Sequence, residues 1–289
     1  MPTPRAVALG LMLRRLRTEK GRSMRALAFQ IERDAPTLLR WEIGERAPKP
    51  HQVSHLLAHL GIRGERFRRV MDLSENLHDS CWIASTTKED VLQREAYLAL
   101  EATATRITEV APRLVPPLLR TREVATAVAH AGEVHIDQVE AHVATLLDRQ
   151  RAIPSPRTRL TAFLGTAALT RPIGTVDMFG AQLERLLTRA THPQVDLRVV
   201  PQQVGWQADL DQAFTLTETR HTTVAIQHSR RSNTWLYRPE DLRNLTIDIR
   251  LMEMNALSPD DTVAYLTKAV HRLHSNGIRH TDPGLDRAG

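Results

Sequence analysis

The sequence predicts an α+β protein: five short helices at the N-terminus, then a helical section and a small mixed, largely antiparallel sheet flanked by helices. Three observations lead there. Apolar residues recur at helical spacing through residues 1–75, the period shortens to two in stretches between 159 and 237, and helical spacing returns over 239–275. A chain of 289 residues, 42% hydrophobic and 25% charged, is long enough for two ordinary domains, and this excludes disorder throughout and fibrous repeats.

Val7, Leu11 and Leu16, with Leu9, Met12 and Leu13 nearby, predict an amphipathic helix over 6–20 that stops at Gly21. Ser23 caps a second helix with Leu27, Ala28 and Ile31 inside, and Asp34 caps a third through Leu38 and Trp41 to Ile43. Pro48-Lys49-Pro50 opens a fourth around Val53, Leu56, Leu57 and Leu60, and a fifth follows near Phe67 and Val70. The polar stretch 76–88 reads as a linker, and the body is expected to occupy 89–275 with a frayed tail over 276–289. Within the body, Val91, Tyr97, Leu98, Ala102 and Ile107 predict one long helix ending at Pro112, and two more fall over 121–131 and 136–151. Short β-branched and aromatic runs predict strands at 159–164, 195–200, 213–217, 222–228 and 234–237, the last three as a meander. Helices are predicted over 175–190, 239–255 and 259–275.

Charge is unevenly placed. Residues 1–75 hold 15 basic and 8 acidic side chains, whereas the remainder holds 24 and 25, so the basic excess belongs wholly to the first quarter. A compact basic segment on a nearly neutral body is what a nucleic-acid-binding module joined to another domain requires, because phosphate attraction supplies affinity without sequence choice. The single cysteine, Cys81, permits neither an internal disulfide nor a cysteine zinc cluster. The apolar run Ala6 to Leu13 breaks at Arg14 and Arg15, too short for a signal peptide, and no stretch approaches bilayer length. A cytoplasmic protein without membrane partners is expected.

Ser23-Met24-Arg25-Ala26-Leu27-Ala28, followed after eight residues by Thr37-Leu38-Leu39-Arg40-Trp41-Glu42-Ile43-Gly44-Glu45-Arg46-Ala47-Pro48, resembles the lambda-repressor-like, or Xre-type, helix-turn-helix. The resemblance implies a five-helix lambda-repressor-like domain whose third helix enters the major groove of a double-stranded operator. It puts Ala35, Pro36, Thr37, Leu39 and Arg40 toward the bases, with Arg40 able to grip guanine O6 and N7 through two hydrogen bonds. Ser23, Arg25, Arg46 and Lys49 fall at phosphate-contacting places, Arg33 adds positive charge at the turn, and Arg17 and Glu42 match an internal ion pair. This chain departs from the pattern at Met24, where glutamine is usual, at Glu32, where glycine is usual, at Arg33, where an apolar residue is usual, and at Leu39, where a polar one is usual. Direct hydrogen-bonded readout is therefore expected to be poorer than average.

Leu114-Val115-Pro116-Pro117-Leu118-Leu119-Arg120-Thr121, Asp148-Arg149-Gln150-Arg151, Ala168-Leu169-Thr170-Arg171-Pro172-Ile173-Gly174, Gln182-Leu183, Val199-Val200-Pro201 and Ala256-Leu257-Ser258 resemble the domain of unknown function that follows the helix-turn-helix in antitoxin-like transcriptional regulators. The resemblance spans about 100–270 and implies a regulator whose body senses a small-molecule effector or a small companion protein and supports a homodimer. The group's acidic residue at the place of Thr166 and its Gly-x-His near Gly205-Trp206-Gln207 are both missing.

Nothing in the sequence specifies an enzyme. No phosphate-cradling loop, zinc helix or nucleophile elbow appears, and no cofactor is expected. His221, His228, Asp209, Asp211 and Glu218 fall on or between the meander strands, where alternation exposes such residues by default. Trp206, Phe214, Trp235 and Tyr237 concentrate the aromatics of the meander as a core or a pocket wall, so Trp206, Phe214, His228 and Trp235 are the candidate ligand contacts. The competing reading is an enzyme or small-molecule-binding protein built on a degenerate helix-turn-helix scaffold. His51, His55 and His59 at four-residue intervals read as surface residues and not as a metal site.

Overall fold

Capping chemistry sets the first helices. Thr3 caps α1 (Pro4–Glu19), its Oγ1 accepting from Ala6 N at 3.2 Å; Ser23 caps α2 (Met24–Gln30) and Asp34 caps α3 (Ala35–Glu42) in the same manner. α4 (Pro50–His59) opens on a proline, which has no N–H to satisfy, and α5 (Gly64–Ser74) follows. The chain continues as β1 (Trp82–Ile83), α6 (Thr87–Glu101), β2 (Ala104–Ala111), α7 (Arg122–Val128), α8 (Val139–Ala152), β3 (Arg159–Gly165), α9 (Ala167–Thr170), α10 (Val176–Ala190), β4 (Val195–Val200), β5 (Phe214–Thr219), β6 (Thr223–His228), β7 (Asn233–Leu236), α11 (Pro239–Asn255) and α12 (Pro259–His280). This computed structural model describes residues 3–75, 77, 82–83, 87–153, 155–205, 211–229 and 233–280. Cys81, Trp206, Asp209 and the end of the tail lie outside the described residues.

Two compact units result, Met1–Thr105 with Leu216–Asn244, and Arg106–Thr215 with Leu245–Gly289. The first unit has one continuous core. α1 packs against α3, α5 and α6, and every residue from Pro4 to Leu13 is buried. The amphipathic reading of 6–20 thus holds only for the last turns; Ala6-Val7-Ala8-Leu9-Gly10-Leu11-Met12-Leu13 is apolar on all sides, the pattern of a helix covered all round. Gly10 is where α1 meets α3: a Cβ there would stand 2.3 Å from the Trp41 carbonyl oxygen. The same core takes in Leu92, Ala96 and Leu100 of α6 and Trp82, Val224, Ile226 and Trp235 of the strands.

Those strands run in the order β1-β7-β6-β5. β1 and β7 pair antiparallel with Trp82 opposite Trp235, and β7 pairs antiparallel with β6, placing Trp235 beside Ile226. A tight turn closed by Thr219 N donating to Thr222 O at 2.8 Å leads from β5 to β6. The Trp82 and Trp235 rings meet at 5.3 Å and 45°, an offset arrangement that keeps both quadrupoles satisfied. Arg5, buried near the start of α1, lies 5.4 Å above the Trp82 ring and forms an ion pair with Glu89 of α6. Gln93 Nε2 donates to the Trp82 carbonyl at 2.9 Å, fixing β1 to α6.

The second unit is built on a parallel run of three strands, β2-β3-β4, with Ile107 beside Leu160 and Leu160 beside Val195. α10 and α12 pack on each other and on β4, while α7 and α8 enclose Ala125, Ala129, Val139, Val143 and Leu146. Two buried glutamines hold the loop around Pro116-Pro117. Gln150 Nε2 donates to the Pro117 and Arg120 carbonyls at 2.7 and 3.0 Å, and Gln182 accepts from Thr121 N and donates to Leu119 O, both at 2.9 Å. These bonds add to the single turn of 3-10 helix at Pro117–Leu119, in which Leu119 N donates to Pro116 O and Arg120 N to Pro117 O, and they satisfy Thr121 N and the Leu119 and Arg120 carbonyls.

The α+β class and all five expected strands appear within two residues of their predicted bounds. The long helix expected to reach Pro112 does not: it ends at Glu101, and Ala104–Ala111 is β2. Ile107, Thr108 and Val110 favour the strand, and their burial between β3 and helices removes the alternation that would have announced it. β1, inside the stretch read as a linker, is an added strand, and Trp82 on it is only 1% exposed.

Because α1 is covered by α6 as well as by α3 and α5, a chain ended after Glu75 is expected to lose cooperative unfolding. Urea titration followed by circular dichroism should give a sharp transition for the full chain and a broad or absent one for residues 1–75. A sharp transition in the short chain would show that the five helices are self-sufficient.

Candidate nucleic-acid interface

The helix-turn-helix is α2, a tight turn, and α3. The turn is a Schellman motif: Glu32 N donates to Phe29 O at 3.2 Å and Arg33 N to Ala28 O at 2.9 Å, which satisfies two carbonyls left over at the end of α2. The motif needs a left-handed residue, and Glu32 supplies it at φ 54°. α1 and α4 end in the same motif with glycine at that place, Gly21 at φ 63° and Gly61 at φ 67°. The turn of this helix-turn-helix therefore keeps the usual backbone while bearing the strain of a Cβ. Arg33, which takes the place where the motif usually sets an apolar residue against the helix, is exposed, and its Nη1 donates to the Glu32 carbonyl at 2.8 Å.

α3 is divided lengthwise. Leu38, Trp41 and Glu42 are buried, whereas Pro36, Leu39 and Arg40 are exposed and Ala35 and Thr37 are half-buried. The buried edge is held from α1: Arg17 Nε and Nη2 donate to the two Glu42 carboxylate oxygens at 2.6 and 2.9 Å, and Arg17 Nη1 donates to Arg22 O at 2.9 Å. The ion pair that the resemblance implied is present, and bidentate geometry fixes both distance and rotation of α3. Thr222 Oγ1, in the β5–β6 turn, donates to the carbonyl of Ile43, the last capping residue of α3, at 3.2 Å.

The remaining expected contacts are all exposed. Ser23 is exposed and accepts from Ala26 N at 3.1 Å, so its hydroxyl already caps α2 and retains its proton for a phosphate oxygen. Arg25, Arg46 and Lys49 are exposed; Arg46 N donates to Arg40 O at 3.1 Å, and Lys49 N to Gln52 Oε1 at 2.8 Å. The exposed acidic groups of the helix-turn-helix and the segment after it are Glu32, Asp34 and Glu45. Hydrogen bonds from Thr37 hold the Asp34 carboxyl below the usual carboxylate range, with the nearby Arg40 charge acting in the same direction. Asp34 is thus ionised at neutral pH, directed at the first turn of α3 as its cap. One exposed residue was not signalled by the sequence. Phe29 on α2 is 85% exposed, and only the turn of the helix relative to Leu27 and Ala28, both buried, distinguishes it from a core position.

The candidate ligand contacts are distributed differently. Phe214 and Trp235 are buried, Trp235 in the core of the first unit, and His228 is exposed with Nδ1 3.0 Å from Asn233 Oδ1. Asp211 faces Arg113 at 3.5 Å. Trp206 lies outside the described residues. Among the described residues no three His, Cys, Asp or Glu side chains gather as a metal site.

Five helices, two of which form a helix-turn-helix with exposed cations in and just after it, and a core continuous with strands of the body define a helix-turn-helix protein with an α+β body. Residues 8–70 match the family described as Helix-turn-helix domain. Residues 94–268 match the family described as Domain of unknown function (DUF5753), and the chain belongs to that family. No curated protein and no solved structure matches the chain. The helix-turn-helix match supports DNA binding and transcription regulation. No helix among the described residues is long and apolar enough to cross a membrane.

Replacing Glu32 with glycine should relieve the left-handed strain and stabilise the protein by about 1 kcal/mol in urea unfolding. The same variant removes a negative charge beside α3, so it should also bind DNA more tightly at low salt. Lower stability in Glu32→Gly would mean that the glutamate side chain makes a compensating contact.

Proposed function

We propose that the protein is an Xre-type transcriptional regulator that docks α3 in the major groove of a double-stranded operator as a homodimer. The observation that carries this reading is the lengthwise division of α3: its Trp41 edge is locked into the core while its Pro36, Leu39 and Arg40 edge stands open among exposed cations. A helix positioned rigidly along one edge and free along the other is what groove insertion needs. Arg40 is the base-reading residue, and Leu39 can meet a thymine methyl where a polar residue would have made a hydrogen bond. Ser23, Arg25, Arg33, Arg46 and Lys49 set register on phosphate. Ala35, Pro36 and Thr37 line the leading end of α3 and pack against the groove. One such module buries little surface, so two copies on paired half-sites supply affinity and specificity.

The body is the sensor for a small molecule or a companion protein, with His228 the solvent-facing member of the described ligand candidates. The protein acts in the cytoplasm, where the operator is.

A gel-shift series against the DNA upstream of its own gene, run at two salt concentrations, tests the reading directly. Arg40→Ala should cost about 1 to 3 kcal/mol on the preferred site and relax the choice at one base pair. Lys49→Ala should weaken all sequences alike and reduce the slope of log affinity against log salt by about 0.9. Unchanged sequence preference in Arg40→Ala would reject its assignment, and absence of any shift at low salt would reject DNA binding.

A further inference from the structure

His51, His55 and His59 follow one another along α4 at intervals of four, so consecutive members are neighbours on one side of the helix. Two of them converge. His55 Nε2 and His59 Nε2 stand 2.8 Å apart, with ring centroids at 4.7 Å and ring planes 17° from parallel. The nitrogens are much closer than the centroids, so the rings lean together through their Nε2 edges. Both residues are exposed. Two neutral imidazoles so placed share one N–H, one ring donating and the other accepting.

We propose that His55 and His59 form a two-imidazole chelate for a divalent transition cation of tetragonal preference, with Cu2+ held above Ni2+ and both above Zn2+. Metal–imidazole bonds of about 2.0–2.1 Å joined to nitrogens 2.8 Å apart enclose an angle of about 86°. That is the angle between adjacent ligands of a square or tetragonal site; tetrahedral zinc would need the nitrogens about 3.3 Å apart. Imidazole suits copper and nickel, and copper stands highest in the divalent affinity order. No third His, Cys, Asp or Glu joins the pair among the described residues, so water fills the other positions. This also disfavours zinc, whose structural sites use four protein ligands.

Binding requires both Nε2 lone pairs. The proton that the pair shares moves to Nδ1 of the donor ring, both rings stay neutral, and each exposed ring rotates slightly to face the cation. The close ring contact joins His55 to His59, whereas His51 lines a recess beside Trp41 with His55 and Arg33, so the Arg33 charge weakens cation binding by the pair without changing the order among the metals. The bound metal bridges one turn of α4, so it stabilises the folded chain by mass action.

The test uses full-length protein without a histidine tag, in a buffer that does not bind copper, titrated with CuCl2, NiCl2 or ZnCl2. Wild type is expected to bind one copper with an axial electron paramagnetic resonance spectrum carrying nitrogen couplings, and to melt at a higher temperature with copper than without. The rise should be smaller with nickel and smallest with zinc. Because the chain has 13 histidines, single variants carry the assignment. H55Q and H59Q should each weaken copper binding at least about tenfold and abolish the thermal shift, while H51Q keeps both. These are exposed positions, and circular dichroism without metal checks that the variants fold as wild type. Copper binding unaffected by H55Q and H59Q, equal losses in H51Q and H59Q, or zinc as effective as copper would each overturn the chelate.

Discussion

Burial of α1 on both sides is the constraint on which the first unit depends. A surface helix of a small helical domain hides one stripe and leaves the other wet, but Pro4 to Leu13 leaves no side to water. The helix must therefore be covered all round, and α3, α5 and α6 pack against it. Close approach then becomes a requirement and not a convenience: Gly10 lets α1 come within van der Waals range of the α3 backbone, where any side chain would meet the Trp41 carbonyl. Arg17 finishes the work at the far end. With Glu42 only 1% exposed, the loss of either partner would strand a buried charge, a loss on the order of 3–5 kcal/mol. The buried edge of α3 is thus fixed by packing, by backbone approach and by charge together.

The open edge is governed by a less favourable balance. Affinity for DNA comes first from cations, and Arg25, Arg33, Arg40, Arg46 and Lys49 are all exposed around α3. Against them stand Glu32, Asp34 and the exposed Glu45, with Asp34 held ionised by its own capping bonds. Asp34 offsets part of its charge by satisfying the N-terminal dipole of α3, whereas Glu32 has no such role in the helix and also carries the left-handed strain. Five cations outweigh three carboxylates, so attraction survives. With Leu39 apolar, however, the proposed base readout would have few hydrogen bonds to use, and the shape of the DNA would have to supply more of the sequence choice.

Much of this was legible in the sequence where local chemistry decides. Ser23, Asp34 and the prolines mark helix starts, Gly21, Gly44 and Gly61 mark helix ends, and the β-branched runs at 159–165, 195–200 and 214–228 mark strands. The helix-turn-helix could be placed to the residue because its spacing is set by such caps. What escaped is decided by burial. β2 follows α6 after only Ala102 and Thr103, and its residues 107–111 are all buried, so no alternation separates it from the helix. α1 was the reverse case: its all-round apolar run was visible, but nothing local says that a second layer exists to cover it. Trp82 sits in a polar stretch that reads as a connector, and only its tertiary partners Trp235, Arg5 and Gln93 make it core. The His55–His59 pair was visible as a spacing, while the convergence of the nitrogens depends on two rotamers.

The family boundaries and the physical ones do not coincide, and this bears on function. The helix-turn-helix match ends at residue 70 and the body match begins at 94, inside α6. Yet Leu9, Trp41, Leu92, Ala96, Val224 and Trp235 belong to one hydrophobic cluster, with no solvent layer separating the DNA-facing helices from strands of the body. Side chains that share a close-packed core cannot be displaced independently, because interiors have little free volume to absorb a shift. The hydrogen bond from Thr222 to the capping carbonyl of α3 adds a directional link from the β5–β6 turn to that helix. Coupling of this kind is reciprocal: whatever alters those strands alters the pose of α3, and whatever seizes α3 acts back on the strands by the same free energy. α3 and part of the body thus belong to one compact unit with a shared core.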